Sequence, residues 1–137
     1  MQAVNEGTFR IEGVKSVGLG IELPFETYLN QYTNMGYTFK YFFVRKVMMV
    51  KYAKVFIAFP GGIGTIEELF ETLTLIQTSK SGKAKVYLIG VEYYSGLIEW
   101  MKNTMLVEGN IKQSDLDMIC PTDDINLVVS ELSEKYL

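Results

Sequence analysis

The run Pro60-Gly61-Gly62-Ile63-Gly64-Thr65-Ile66-Glu67-Glu68 follows the apolar stretch Val55-Phe56-Ile57-Ala58-Phe59 and opens the amphipathic segment Ile66 to Thr78. The order is strand, glycine turn, helix. Such a junction presents backbone N–H groups at a helix N-terminus with no side chains in the way, and the helix dipole adds to their attraction for a phosphate. Glu67 and Glu68 stand one turn further in. Like charges repel, so a carboxylate beside a bound phosphate ester is not there for affinity; it is held for chemistry at a neighbouring carbon. An N-glycosidic bond suits that arrangement, because its transition state puts positive charge on the sugar, which a carboxylate stabilises while orienting a water. Plainer alternatives stand beside this reading. Acids in a first helical turn gain roughly 0.3–1 kcal/mol from the dipole, and a tight strand-to-helix turn can need glycine dihedrals.

The glycine turn fits neither standard nucleotide-loop template. No Lys-Ser/Thr follows its last glycine, as a Walker A loop requires, and Glu67 stands where a dinucleotide fingerprint has its third glycine. ATPase and NAD-binding readings lose support accordingly. Upstream, Arg45 and Lys46 follow the aromatic run Tyr41-Phe42-Phe43 at the start of the helix that precedes the Val55 strand. In a parallel sheet this places them near the carboxyl edge where ligands of open α/β folds gather, and a cation there can hold phosphate bidentately. The alternative is a solvated pair, in mild conflict with the positive end of the dipole. Met48, Met49, the Phe39-Tyr41-Phe43 alternation and Trp100 are assigned to packing, as core or subunit contact.

Composition removes several chemistries. The chain has no histidine, so a Ser-His-Asp triad, a Cys-His pair and a His-Glu-x-x-His zinc site are excluded. Its one cysteine, Cys120, allows no disulfide framework within the chain and no thiolate metal cluster, which fits a reducing cytoplasm. A net charge of -3 argues against a surface that coats nucleic acid. No apolar stretch reaches the roughly 20 residues of a membrane span, and the N-terminus lacks the layout of a signal peptide.

The elements that must position these residues alternate in βαβα order. Strands are expected at Ser16 to Ile21, Tyr37 to Phe43, Lys54 to Phe59, Lys85 to Ile89 and Met118 to Cys120. Helices are expected at Arg45 to Ala53, Gly64 to Thr78, Ser95 to Val107 and Asp123 to Tyr136, and Met1 to Arg10 also reads as a helix. Val55 to Phe59 and Val86 to Ile89 are continuously apolar, as strands covered on both faces must be. The fold class is therefore α/β with a mostly parallel sheet, in a single domain over 1–137. Ile66, Leu69, Phe70, Leu73 and Ile76 form the buried stripe of the central helix, which Ser79 to Lys83 stops. The last helix is capped by Thr122-Asp123-Asp124 and packs Ile125, Leu127, Val128 and Leu132. Pro24 to Gly36 reads as a polar-aromatic loop of a length used for binding.

Arg45-Lys46 joined to Pro60-Gly61-Gly62-Ile63-Gly64-Thr65-Ile66-Glu67-Glu68 resembles the paired signatures of the LONELY GUY family, whose members were long labelled possible lysine decarboxylases. Ile21 to Glu26 and Phe42 to Lys46 look like the corresponding stretches of its bacterial branch. The resemblance implies a Rossmann-like three-layer homodimer or larger homo-oligomer. Its implied reaction is hydrolysis of nucleoside 5′-monophosphates, cytokinin riboside monophosphate or AMP, at the N-glycosidic bond to free base and ribose 5-phosphate. It also implies Arg45 and Glu68 as the catalytic pair, with Lys46, Gly61, Gly62, Ile63, Gly64, Thr65 and Glu67 lining the phosphoribose site, and no metal or cofactor. The decarboxylase label finds no support in the residues, since pyridoxal chemistry needs a Schiff-base lysine and a pyridinium partner in a much larger fold. Family members carry an earlier strand and Gly-rich loop ahead of the position of Met1 to Gly7, so the expectation is an N-terminally truncated chain. The rival expectation is a non-catalytic nucleotide-binding or oligomer-forming module.

Overall fold

A computed structural model describes residues 2–23, 29–78 and 84–136. The backbone divides into two units, Met1–Tyr52 and Ala53–Leu137. The first opens with helix α1 (Gln2–Phe9), followed by strands β1 (Val17–Ile21) and β2 (Met35–Phe39) and helix α2 (Phe42–Lys51). The two strands pair in parallel, from Val17 opposite Met35 to Ile21 opposite Phe39.

The apolar run expected as one strand from Tyr37 to Phe43 breaks at Lys40 and Tyr41. Tyr41 is extended, with φ -118° and ψ 131°, and caps α2, so Phe42 and Phe43 lie in that helix. Of the expected binding loop, residues 24–28 lie outside the described residues, Leu29 covers the glycines of the strand pair, and Met35 and Gly36 belong to β2. A Cβ on Gly36 would stand 2.3 Å from Leu29 Cδ1. Asn30 and Asn34 serve structure: Asn34 Oδ1 accepts the Ser16 amide at 2.8 Å, and Asn30 Nδ2 donates to Asn5 Oδ1 at 2.8 Å.

The second unit carries β3 (Phe56–Ala58), α3 (Ile63–Gln77), β4 (Val86–Leu88), α4 (Val91–Trp100), a π-helical continuation over Met101–Leu106, α5 (Gln113–Leu116), β5 (Ile119–Pro121) and α6 (Ile125–Tyr136). Its strands form a parallel sheet in the order β3-β4-β5, with Ala58, Leu88 and Pro121 in register at the carboxyl edge. Continuous apolarity in β4 is matched by burial on both faces: Val86, Tyr87 and Leu88 are 0, 3 and 1 % exposed. With parallel strands and interleaved helices, the chain is α/β and consistent with a Rossmann-like three-layer fold. The expected stripe of α3 packs as read, Leu69, Leu73 and Ile76 being buried and Ile66 and Phe70 partly so. Thr72 joins them in the core, its hydroxyl satisfied by donating to Glu68 O at 2.8 Å. On α6 only Val128 is buried, while Ile125 and Leu127 are exposed. Trp100, Tyr41 and Phe43 are likewise exposed, outside the core. The segment 79–83 lies outside the described residues. No helix among the described residues is long and apolar enough to cross a membrane.

Near the amino edge of this sheet, Tyr87 donates to Glu131 Oε2 at 2.6 Å and Lys85 Nζ reaches the same oxygen at 2.7 Å. Burial, and then Glu131, push the Tyr87 phenol well above its usual range. A group whose pKa rises on folding adds stability that is present below its unfolded value and lost as pH climbs past it. The melting temperature is therefore expected to fall above about pH 10, and Tyr87→Phe to make that decline shallower. A thermal melt series through the alkaline range checks this; an unchanged slope in the variant contradicts it.

Candidate active site

At the carboxyl edge, β3 leaves the sheet at Ala58 and the chain turns through Phe59 to Gly62. Gly62, extended at φ -85° and ψ -163°, is the N-cap of α3. The helix begins at Ile63, earlier than its apolar stripe implies. The Thr65 and Ile66 amides both donate to Gly62 O, at 3.0 and 3.2 Å. Those of Ile63 and Gly64 have no intrahelical acceptor, as in any α-helix start, and the N-cap Gly62 has no side chain to supply one.

The other α-helices of this unit hold side-chain carboxylates at their N-termini. Asp123 Oδ1 accepts the Gly90 and Val91 amides at the head of α4, at 2.7 and 3.1 Å. Asp124 Oδ1 accepts those of Asn126 and Leu127 in α6, at 3.0 and 3.1 Å, and Asp115 Oδ2 accepts the Lys112 amide before α5 at 2.8 Å. At the start of α3 the N-cap is a glycine and supplies no carboxylate of its own to the positive end of the helix.

The three glycines of the turn are not explained by backbone conformation, since none has positive φ. Gly61 is required by contact, because a Cβ there would meet Thr65 Oγ1 at 2.2 Å. Gly62 and Gly64 face open space, with nothing within 4 Å of an added Cβ. Nothing among the described residues demands a bare backbone at those two positions; a ligand approaching the amides would. Gly64→Ala is therefore expected to leave the melting temperature unchanged or raise it, since Gly inside a helix costs roughly 0.5–1 kcal/mol relative to Ala, while weakening inorganic phosphate binding measured by calorimetry. Gly61→Ala is expected to lower the melting temperature. Parental phosphate affinity in Gly64→Ala contradicts the assignment.

With α3 starting at Ile63, Glu67 and Glu68 fall in its second turn and no acid lies in the first. Dipole compensation, which fades within the first turn, therefore loses force as their explanation. Glu67 is exposed and Glu68 half-buried, so the two neighbours meet different surroundings. Thr65, also half-buried, lies against Gly61, and Ile63 is 91 % exposed at the lip of the turn.

Arg45 and Lys46 stand half-buried in α2 of the first unit. Arg45 Nε donates to Leu19 O in β1 at 2.9 Å, which ties the stem of the guanidinium to the strand pair. The first unit thus brings Arg45 to β1, and the second brings Gly61 to Glu68 onto one turn and helix start. Sequence reading missed the residues that brace this turn. Tyr94 donates to Phe59 O at 2.8 Å, and Tyr93 donates to Gly61 O. Gly90, at φ +100°, leaves room for the Pro60 ring, whose Cγ would lie 2.9 Å from an added Cβ. The signal available was the pair Tyr93-Tyr94 just after a glycine that ends an apolar strand.

The family described as "Possible lysine decarboxylase" matches residues 1–132. The chain belongs to this family, as the paired Arg-Lys and glycine signatures implied. A cytokinin riboside 5′-monophosphate phosphoribohydrolase of Rhodococcoides fascians is 34% identical over 88 residues, 64% of this chain and 44% of that protein. The Arabidopsis thaliana enzyme of the same name, LOG3, is 35% identical over 91 residues, covering 66% and 41%. A probable member from the same plant, LOG6, is 44% identical over 55 residues, covering 39% and 27%. The matched part of the chain spans less than half the length of these curated relatives.

Proposed function

We propose that this chain hydrolyses the N-glycosidic bond of nucleoside 5′-monophosphates, cytokinin riboside monophosphate or AMP, to free base and ribose 5-phosphate. The observation that carries the reading is the start of α3, where the N-cap is a glycine and open glycines lie one turn before a half-buried glutamate, in a unit whose other helix starts hold a carboxylate. The names of the relatives, all phosphoribohydrolases of cytokinin riboside 5′-monophosphates, support the same substrate class.

In this proposal the 5′-phosphate takes the Ile63 and Gly64 amides, with Gly61, Gly62 and Thr65 around it. The bond from C1′ to the base nitrogen lengthens first, and positive charge gathers on the ribose. Glu68 stabilises that charge and orients a water, whose oxygen bonds to C1′ while its proton balance is completed on the departing base. Arg45 and Lys46 supply cations for the phosphoribose and Glu67 lines the site. The exposed aromatic row Tyr41, Phe42 and Phe43 at the start of α2 supports assembly into a homodimer or larger homo-oligomer.

Chromatography of AMP and of isopentenyladenosine 5′-monophosphate after incubation tests the reaction. Equal amounts of free base and ribose 5-phosphate are expected from at least one of them. Binding without base release indicates a non-catalytic nucleotide-binding module instead.

A further inference from the structure

The glycine turn is held through its own carbonyls by tyrosine hydroxyls from outside its chain segment, and the two holders differ. Tyr94 is fully buried, and its bond to Phe59 O belongs to the core. Tyr93 is 50 % exposed, its ring set edge-on against Tyr94 with centroids 4.9 Å apart, and its hydroxyl donates to Gly61 O. The head of α4 that carries both is fixed by the Asp123 carboxylate.

A trans peptide unit carries its C=O and the following N–H on opposite sides. Holding Gly61 C=O toward Tyr93 therefore holds the Gly62 N–H away from it. This unit lies between two glycines, where rotation meets least steric resistance. Turned over, it would place a carbonyl oxygen where the amide hydrogen stood, and a carbonyl oxygen repels phosphate. An added Cβ on Gly62 would meet nothing within 4 Å, so no protein atom crowds that face of the residue.

We propose that Tyr93 is a positioning residue for the phosphate subsite: its hydroxyl latches the Gly61–Gly62 peptide in the orientation that offers the Gly62 N–H to the phosphate of the ligand. The inference rests on the proposed reading of the glycine turn as the phosphate site, and it adds a residue from a different helix to that site.

Tyr93→Phe in the full chain tests it, because the variant keeps the ring packing and removes only the hydroxyl. The dissociation constant for ribose 5-phosphate and the KM for AMP are expected to rise together by about three- to tenfold, the effect of one hydrogen bond, with kcat nearly unchanged and the melting temperature preserved. Unchanged affinity and KM overturn the latch. So does a fall in kcat at parental KM, or a loss of binding that tracks a lowered melting temperature, which marks a structural role only. If the parent chain binds ribose 5-phosphate but releases no base from any nucleotide, the reaction reading fails while the ratio of dissociation constants still decides the latch. A parent chain that binds neither ribose 5-phosphate nor inorganic phosphate overturns the latch as well.

Discussion

Glu68→Gln is expected to lower kcat for base release by about 10²- to 10³-fold, the usual loss when one preorganised electrostatic partner of a transition state is removed. The substitution keeps the shape of the side chain and removes its charge, so the ground-state complex should keep its KM. The backbone oxygen of Glu68, which accepts the Thr72 hydroxyl at 2.8 Å, is untouched by the change. Glu67→Gln, at the exposed neighbour, is expected to cost only a few-fold by comparison. The two residues project about 100° apart around the helix, so one of them faces the reacting carbon and the other does not. Initial rates from chromatographic assays of AMP separate the two. If Glu67→Gln produces the larger loss, their roles are reversed; if neither does, the carboxylate mechanism is wrong.

Arg45→Lys is expected to lower kcat/KM by about 10- to 100-fold, the range spanned by hydrogen bonds to charged groups. Lysine keeps the positive charge and loses the planar fork that matches phosphate and carboxylate oxygens two at a time. It also loses the Nε donor that holds Leu19 O at 2.9 Å, so a stability decrease of about 1 kcal/mol should accompany it. Guanidinium chloride melts measure the second effect and initial rates at low AMP the first. A variant with parental kcat/KM but lowered stability would reduce Arg45 to the strut between α2 and β1.

Much of the arrangement was legible because it depends on neighbours in sequence. The βα alternation, the covered strand Val86 to Leu88 and the stripe Leu69, Leu73, Ile76 follow from periodicity, and each is in place. The glycine turn was legible for the same reason, as a short strand, a run without side chains and an amphipathic helix. Where two local tendencies compete, pattern misleads. Phe42 and Phe43 have high strand propensity yet open α2, because the extended Tyr41 starts a helix there. The expected start of α3 at Gly64 falls one residue after the observed one, because Ile63, 91 % exposed, contributes nothing to the apolar period that marks a helix.

By itself the sequence determined the family, the α/β alternation and the line of chemistry-bearing residues from Gly61 to Glu68, because all of these are written in short-range order. Only the tertiary structure decided how the turn is braced and which helix start Asp123 serves. Tyr93 and Tyr94 reach Gly61 and Phe59 across 32 and 35 residues, and Asp123, which looks like a cap for α6, turns to α4 and reaches Gly90 across 33. A carboxylate goes to whichever amides the packed sheet edge brings within reach, and that distance is set by the parallel register of β3, β4 and β5 rather than by any spacing along the chain.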